Sequence, residues 1–372
     1  MSMKKGWSRR EFVQVVGSSS LSSAGLCSSL LPGGARSSVK FAYVANERDA
    51  IHVYAAGSAE WTRVQTIASK RPVSLVVGQS GKALYAVNEV SVHNGLPMGT
   101  VEAFAIGASG RLTQLNRQPL SLSATMPRHA AISPDGKSLV VAVREGGAYN
   151  VLPIEDDGSL GRVSSLFKET GVARQGVGLV ARPHAVAFDT SGRVIAADAG
   201  TGRVSVLGLN RDGLGIHTRL ESEDGVAVSR VAMHPNGRTL YAIREDGIAC
   251  YGYDASAGTI EEKRQHAQSA CGPDAALAVH RSGKYVYASR PEGGVAVWTA
   301  DRSTGRLSAA GVDGAAMGEL CAMEMAPEGT SLIAVSRDGR VIESFIDAAS
   351  GRLSAAALRT TVDSPRCVAL VS

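Results

Sequence analysis

The chain is poor in aromatic residues, at 5% of 372, and holds only five cysteines. So few large rings cannot supply the whole core, and 42 glycines point instead to short strands separated by frequent turns. No two cysteines form a C-x-x-C pair and none has a histidine at ligand spacing, which excludes a zinc site of the finger or ribbon kind. Cys250, Cys271, Cys321 and Cys367 are expected to be small buried residues. No apolar run is long enough to cross a bilayer. A large charge excess is missing too. The net charge is +5, but the first 36 residues carry five Lys/Arg against one acid, and the rest of the chain balances to +1. That near-neutrality argues against a nucleic-acid footprint.

The N-terminal 36 residues are present for another reason. Ser8-Arg9-Arg10-Glu11-Phe12, followed by a weakly apolar, serine-rich run ending at Ala35, resembles the S-R-R-x-F signal for twin-arginine export. Cys27 follows Ala-Gly-Leu, which does not fit a lipoprotein cleavage site. The expected layout is therefore an export signal over 1–36 and a single domain over 37–372, periplasmic or secreted and monomeric. At 44% hydrophobic and 20% charged, that domain reads as globular.

Its fold follows from a repeat. "GQSGKALYAV", "SPDGKSLVVA", "DTSGRVIAA", "HPNGRTLYAI", "HRSGKYVYAS" and "APEGTSLIAV" each place a turn glycine before a short apolar run. These glycines, Gly81, Gly136, Gly192, Gly237, Gly283 and Gly329, lie 55, 56, 45, 46 and 46 residues apart. A second series of turns interleaves with them, at Gly57, Gly110, Gly158, Gly213, Gly258, Gly305 and Gly351. Seven outer turns against six inner ones are reconciled if "FAYVANERDAIHVY" at the start and "SPRCVALVS" at the end share one sheet. The pattern predicts an all-β, seven-bladed β-propeller whose last blade is closed by both chain termini. A β-sandwich pair would not repeat so regularly, and the G-H and W-D signatures of the WD class are absent.

In a propeller the innermost strand of each blade starts on one rim, and the next strand ends on that same rim. Counting eight residues back from each inner-turn glycine gives Val73, Arg128, His184, Ser229, Ala275 and Cys321, with Arg366 from the closing blade. The ends of the following strands give Asn88-Glu89, Val143-Arg144, Asp198, Arg244-Glu245, Arg290 and Arg337. His184 and Asp198 are thus expected at one mouth with Arg128, Glu89, Glu245, Arg290 and Arg366, a polar convergence suited to a small-molecule site. His234 and His280 precede inner turns and read as turn residues.

These segments also carry a resemblance. "LYAVNE" (84–89), "PRHAAISPDGKSLVVA" (127–142), "RPHAVAFDTSGRVIAADAGTGRV" (182–204), "HPNGRTLYAIRE" (234–245) and "SPRCV" (364–368) resemble the seven-bladed lactonase family, which includes propeller-type 6-phosphogluconolactonase and fungal carboxymuconate cyclase. The resemblance implies a site built from a histidine in a P-H step, an arginine in a G-P-R-H step and a glutamate ending a strand. The histidine is His184 and the glutamate is Glu245. The arginine does not carry over: "AVSRVAMHP" places Ser229 there and Arg230 where a histidine would follow.

The implied activity is hydrolysis or cycloisomerisation of an anionic sugar or organic-acid lactone, without cofactor or metal. His184 and Glu245 would be catalytic, while Arg128, Asp198, Glu89, Arg290, Ser229 and Arg366 bind substrate. Opening a lactone needs a base for water and a donor or cation for the carbonyl oxygen. His184 titrates in the right range, and Glu245 or Asp198 would orient it. The competing function is a non-catalytic exported propeller that binds a ligand or a protein partner, a reading favoured by the absent arginine. A metal-dependent site is disfavoured, because arginines are interspersed among the few rim carboxylates.

Overall fold

The computed structural model of the chain describes residues 39–372 apart from residue 58 and positions 175–176, 222–224, 269–270, 273 and 315–316; the expected export signal lies outside the described residues. The described residues form seven four-stranded antiparallel sheets and one two-stranded hairpin. Blades 1 to 6 run from Pro72–Val77 to Leu112–Pro119, Thr125–Ile132 to Ser165–Lys168, Pro183–Phe188 to Gly213–Leu220, Val228–Met233 to Thr259–Gln268, Leu277–Val279 to Leu307–Asp313, and Leu320–Met325 to Ala357–Thr361. In blade 7 the C-terminal strand Pro365–Val371 is innermost and pairs with Phe41–Asn46 from the other end of the chain, followed by Ala50–Ala55 and Thr62–Ala68. The sheet order is the one the two glycine series imply.

Second strands are buried on both faces, as in Ala83–Asn88, Thr239–Arg244 and Ser331–Ser336. Each is sandwiched between neighbouring blades, so it reads in sequence as an unbroken apolar run, whereas the outer strand Thr62–Ala68 is largely exposed. The core is accordingly divided. Seven separate apolar clusters each fill one interface between adjacent blades. Each fully buried Leu, Ile or Val side chain contributes about 1.5–3 kcal/mol.

Polar latches repeat across those interfaces. The hydroxyls of Tyr43, Tyr85, Tyr241 and Tyr287, all on second strands, donate to the carbonyls of Gly110, Gly158, Gly305 and Gly351 at 3.0, 3.0, 2.7 and 2.9 Å. Every acceptor is the outer-turn glycine of the following blade. Gly110 shows why glycine is required there: its φ is 77°, and a Cβ would fall inside the van der Waals surface of Phe41. On the inner turns, His234 and His280 bridge forward to the Gly283 and Gly329 carbonyls at 2.7 and 2.8 Å. Their other ring nitrogens accept the backbone N–H groups of Asn236 and Ser282, each at 3.1 Å. They are turn residues that also join blades.

The innermost strands enclose a channel cavity of about 170 Å³ lined in part by His129, Arg230, Glu324 and Cys367. Glu324 projects into this lumen, where channel water reaches it but protein surrounds it. Burial raises its carboxyl from 4.5 to about 7.

Two measurements test these features. Tyr241→Phe leaves the Gly305 carbonyl with only the weak Cys250 thiol donor at 3.7 Å and should lower the unfolding free energy in urea by about 0.5–1.5 kcal/mol; an unchanged midpoint would remove the latch from the account. For Glu324, the folded state keeps a proton between pH 4.5 and about 7 that the unfolded chain has lost. Stability therefore falls as pH rises through that window. Glu324→Gln should abolish the loss, so its Tm advantage over the wild type should grow from pH 5 to pH 8. A constant difference would contradict the assignment.

Candidate functional site

The mouth is built by one backbone irregularity used repeatedly. In six blades the register between the innermost and second strands skips one residue: Val73, Arg128, His184, Ser229, Cys321 and Arg366. Each is a β-bulge, and a bulge re-aims the extra residue out of the ladder. Blade 5 differs. Its innermost strand begins only at Leu277, and Asp274 lies in a turn ahead of it.

Asp274 is the residue that sequence reasoning missed, and it is the centre of the arrangement. Three hollows meet at its carboxyl: a cleft of about 550 Å³ with His184, Ser229 and Glu245; a pocket of about 100 Å³ over the channel with Arg128, His184, Arg230 and Arg366; and a cleft of about 230 Å³ with Arg290 and Arg337. His184 Nε2 lies 3.3 Å from Asp274 Oδ1, and Arg128 Nη2 lies 3.0 Å from the same oxygen. The expected carboxylate partners of the histidine are replaced. Asp274 orients it, while Asp198 and Glu245 have no contact with it among the described hydrogen bonds and ion pairs. Glu245 stands exposed on a two-residue turn and lines the large cleft together with His184.

Asp198 is not an open binding group. Its Oδ1 accepts the backbone N–H groups of Arg182 and Thr201 at 3.1 and 2.8 Å and the Thr201 hydroxyl at 2.9 Å. The carboxylate is buried and pins the turn that follows its strand. Glu89 is likewise committed. Arg128 Nη1 and Arg366 Nη1 each approach it at 3.0 Å, and Arg71 at 3.4 Å. Burial would raise its pKa, but the charges of Arg366 and Arg128 outweigh this and hold it below the usual value. Glu89 is the counter-ion that fixes the arginines. Arg290 pairs with Glu292 at 3.1 Å beside the smaller cleft.

The second bulge explains the state of the histidine. Because Ser229 is skipped by the ladder, its carbonyl is available, and it lies 2.7 Å from His184 Nδ1. The carbonyl can only accept, so Nδ1 carries the proton, while Nε2 faces the Asp274 carboxylate, which also only accepts and so favours a proton on Nε2 as well. Burial lowers the imidazole pKa most, Asp274 raises it, and Arg230 and Arg128 lower it again; the net value is below 6.5. Contact with His184 is the main influence holding Asp274 well below the ordinary carboxylate range. In this pair the Asp274 carboxylate and the Ser229 carbonyl favour the imidazolium, whereas burial and the two arginines favour the neutral ring. The Ser229 hydroxyl is buried next to it without a partner.

Leu179 and Val180, at the end of the hairpin formed by Val172–Arg174 and Val177–Leu179, give the large cleft an apolar wall. Nothing in the repeat pattern pointed to this insertion. Asp274, in contrast, had a signal. Val73, Arg128, His184 and Arg366 each follow a proline, and so does Asp274. In blades 1 to 3 the proline lies nine residues before the turn glycine, whereas Pro273 lies ten before Gly283. Counting back from the glycine therefore landed on Ala275. Among the described residues no cluster of histidine, cysteine or carboxylate side chains is arranged to hold a metal ion.

Known proteins agree with this architecture. A Pseudomonas aeruginosa periplasmic gluconolactonase superimposes with a TM-score of 0.78 at 19% identity, covering 90% of this chain and 99% of that one. A Lactobacillus plantarum protein superimposes with a TM-score of 0.75 at 18% identity, covering 90% and 100%. In sequence, 6-phosphogluconolactonase of Bacillus subtilis is 24% identical over 250 residues, 64% of this chain and 69% of its own. An uncharacterised Lactococcus lactis protein is 29% identical over 152 residues, 38% of this chain, and the match spans 44% of that protein. Residues 39–370 match the family described as lactonase, 7-bladed beta-propeller, and the chain belongs to that family.

Proposed function

We propose that the mouth hydrolyses a lactone, with His184 as general base and Asp274 as the anion that orients it and stabilises its protonated form. The observation that carries this reading is the placement of His184 between the Ser229 carbonyl at Nδ1 and the Asp274 carboxylate at Nε2, on the wall of a cleft large enough for a small ring. In the step, Nε2 takes a proton from water as the water oxygen bonds to the lactone carbonyl carbon. The tetrahedral oxyanion collapses, the ring C–O bond breaks, and the imidazolium returns the proton to the leaving alkoxide, releasing a hydroxy acid. The unpartnered Ser229 hydroxyl and the guanidiniums of the mouth supply donors for the oxyanion. Glu245, on the opposite lip of the same cleft, contacts the substrate rather than the histidine.

Substrates that are anions, such as organic-acid lactones, suit a mouth lined by Arg128, Arg230 and Arg366. Family membership supports the lactonase reading over a propeller that only binds. Export is a separate proposal resting on Ser8 to Phe12, and it places the reaction outside the cytoplasm, where phosphorylated sugar intermediates are not the natural supply.

The base must be unprotonated, and its pKa lies below 6.5, so activity should be present at neutral pH and lost as pH falls through that lowered value. Base-titrated hydrolysis of a lactone panel checks this. His184→Ala should cut kcat/KM by about 10²–10⁴-fold. Asp274→Asn, which removes the influence that raises the histidine, should shift the acid limb further down and lower kcat. Wild-type rates in His184→Ala would rule out the mechanism.

A further inference from the structure

The guanidinium inventory of the mouth does not close. Arg128 is neutralised by Glu89 and Asp274, Arg366 by Glu89 with Glu47 at 3.7 Å, and Arg337 by Glu319 at 2.5 Å. Arg230 has no carboxylate within ion-pair distance among the described residues, and its Nε has no hydrogen-bond partner. It forms the floor of the pocket shared by Arg128, His184 and Asp274 and the roof of the channel cavity below. Protein surrounds it, and Arg128 adds a like charge; both pull its pKa below the ordinary guanidinium value. Glu324, the carboxyl lower in the same lumen, forms no ion pair with it. Its guanidinium lines the channel with no direct carboxylate contact and is offset only at a distance by Asp274, so an arginine here is not a stabilising choice.

We infer that Arg230 is the specificity-determining anchor for a single carboxylate on the lactone, held at the channel entrance one residue beyond the position where Ser229 provides no charge. This rests on the lactonase reading and narrows its substrate class. A planar carboxylate accepts two parallel N–H bonds from one guanidinium, and the ligand then supplies the direct counter-ion that Arg230 lacks. Anchored over the channel, the acid group leaves the ring carbonyl facing His184 and Asp274 and the remainder of the molecule in the large cleft against Leu179 and Val180. Uncharged lactones would leave this guanidinium without a direct partner.

The test uses the full-length protein and three probes: a γ-lactone bearing a ring carboxylate, its methyl ester, and the non-hydrolysable tetrahydrofuran-2-carboxylate. In the wild type kcat/KM should favour the acid over its ester by at least about tenfold, the scale of one charge-assisted bidentate contact. Arg230→Gln should bring that ratio near one, mostly through KM. Calorimetry with the non-hydrolysable acid needs no turnover: binding to the wild type and its loss in Arg230→Gln support the anchor even if no lactone is hydrolysed. Thermal melting separates anchor from scaffold. Removing a buried cation without a direct counter-ion should leave Tm unchanged or raise it, whereas a structural arginine would lower it. An unchanged acid-to-ester ratio, equal binding of the acid by both proteins, failure of the wild type to bind it, or a marked fall in Tm would each overturn the assignment.

Discussion

One extra residue at the start of an innermost strand decides what the mouth of this propeller presents. Side chains alternate along a strand, so an uninterrupted ladder would direct His184 and Arg128 according to the same period that buries Ala185 and Ala130 against neighbouring blades. The bulge breaks that phase. In six blades it takes one side chain out of the ladder and then restores the alternation on which packing between blades depends. The same distortion also takes a carbonyl out of the ladder, and at Ser229 that carbonyl sets the tautomer of the histidine in the preceding blade. Positioning of the base and its protonation state thus come from two copies of one backbone device.

Charge at the mouth is organised in layers. Glu89, deeply buried, holds Arg71, Arg128 and Arg366 from three different inner strands or their lead-ins, so it acts as a hub for the scaffold. Asp274, half exposed, is shared between Arg128 and His184 and faces all three hollows. A carboxylate at the first position stabilises the arginines; one at the second keeps a positive charge favourable on the imidazole when the reaction creates it. Arg230 belongs to neither set. Around the channel the charges therefore fall into two ion-paired groups and one guanidinium, Arg230, with no direct carboxylate contact among the described residues.

How much of this was legible follows from which interactions are local. Hairpin geometry demands a left-handed residue at two turns per blade, and glycine meets that demand at Gly81 and Gly110 alike, with φ of 68° and 77°. The blade count and the shared closing sheet could be read from those turns. Site residues are defined by contacts across blades, which no single segment encodes. An aspartate ending a strand is equally suited to a ligand site or to capping the following turn, and Asp198 does the latter. Glu89 looked like a rim acid because its three arginines lie far along the chain. Asp274 was missed through one added residue between its proline and the turn glycine, although its proline step matched the other blades.

The bulged positions also explain how such a site can change while the wheel persists. A residue outside the ladder makes no inter-strand hydrogen bond pair; Val73 and Cys321 still pack against interface cores, whereas polar His184 and Ser229 can be exchanged without breaking the ladder. A superposition score of 0.78 at 19% identity shows how much sequence the architecture tolerates. Within that freedom this chain has a serine at the bulge of blade 4 and an arginine immediately after it. The serine keeps the carbonyl that fixes His184, since any residue supplies a carbonyl, and the cation moves to the next residue, deeper over the channel. The contact that holds His184 comes from backbone geometry, and the cation Arg230 stands one residue further along the strand. Chemistry and substrate choice are therefore carried by separate residues of the same bulge, and the second can drift without disturbing the first.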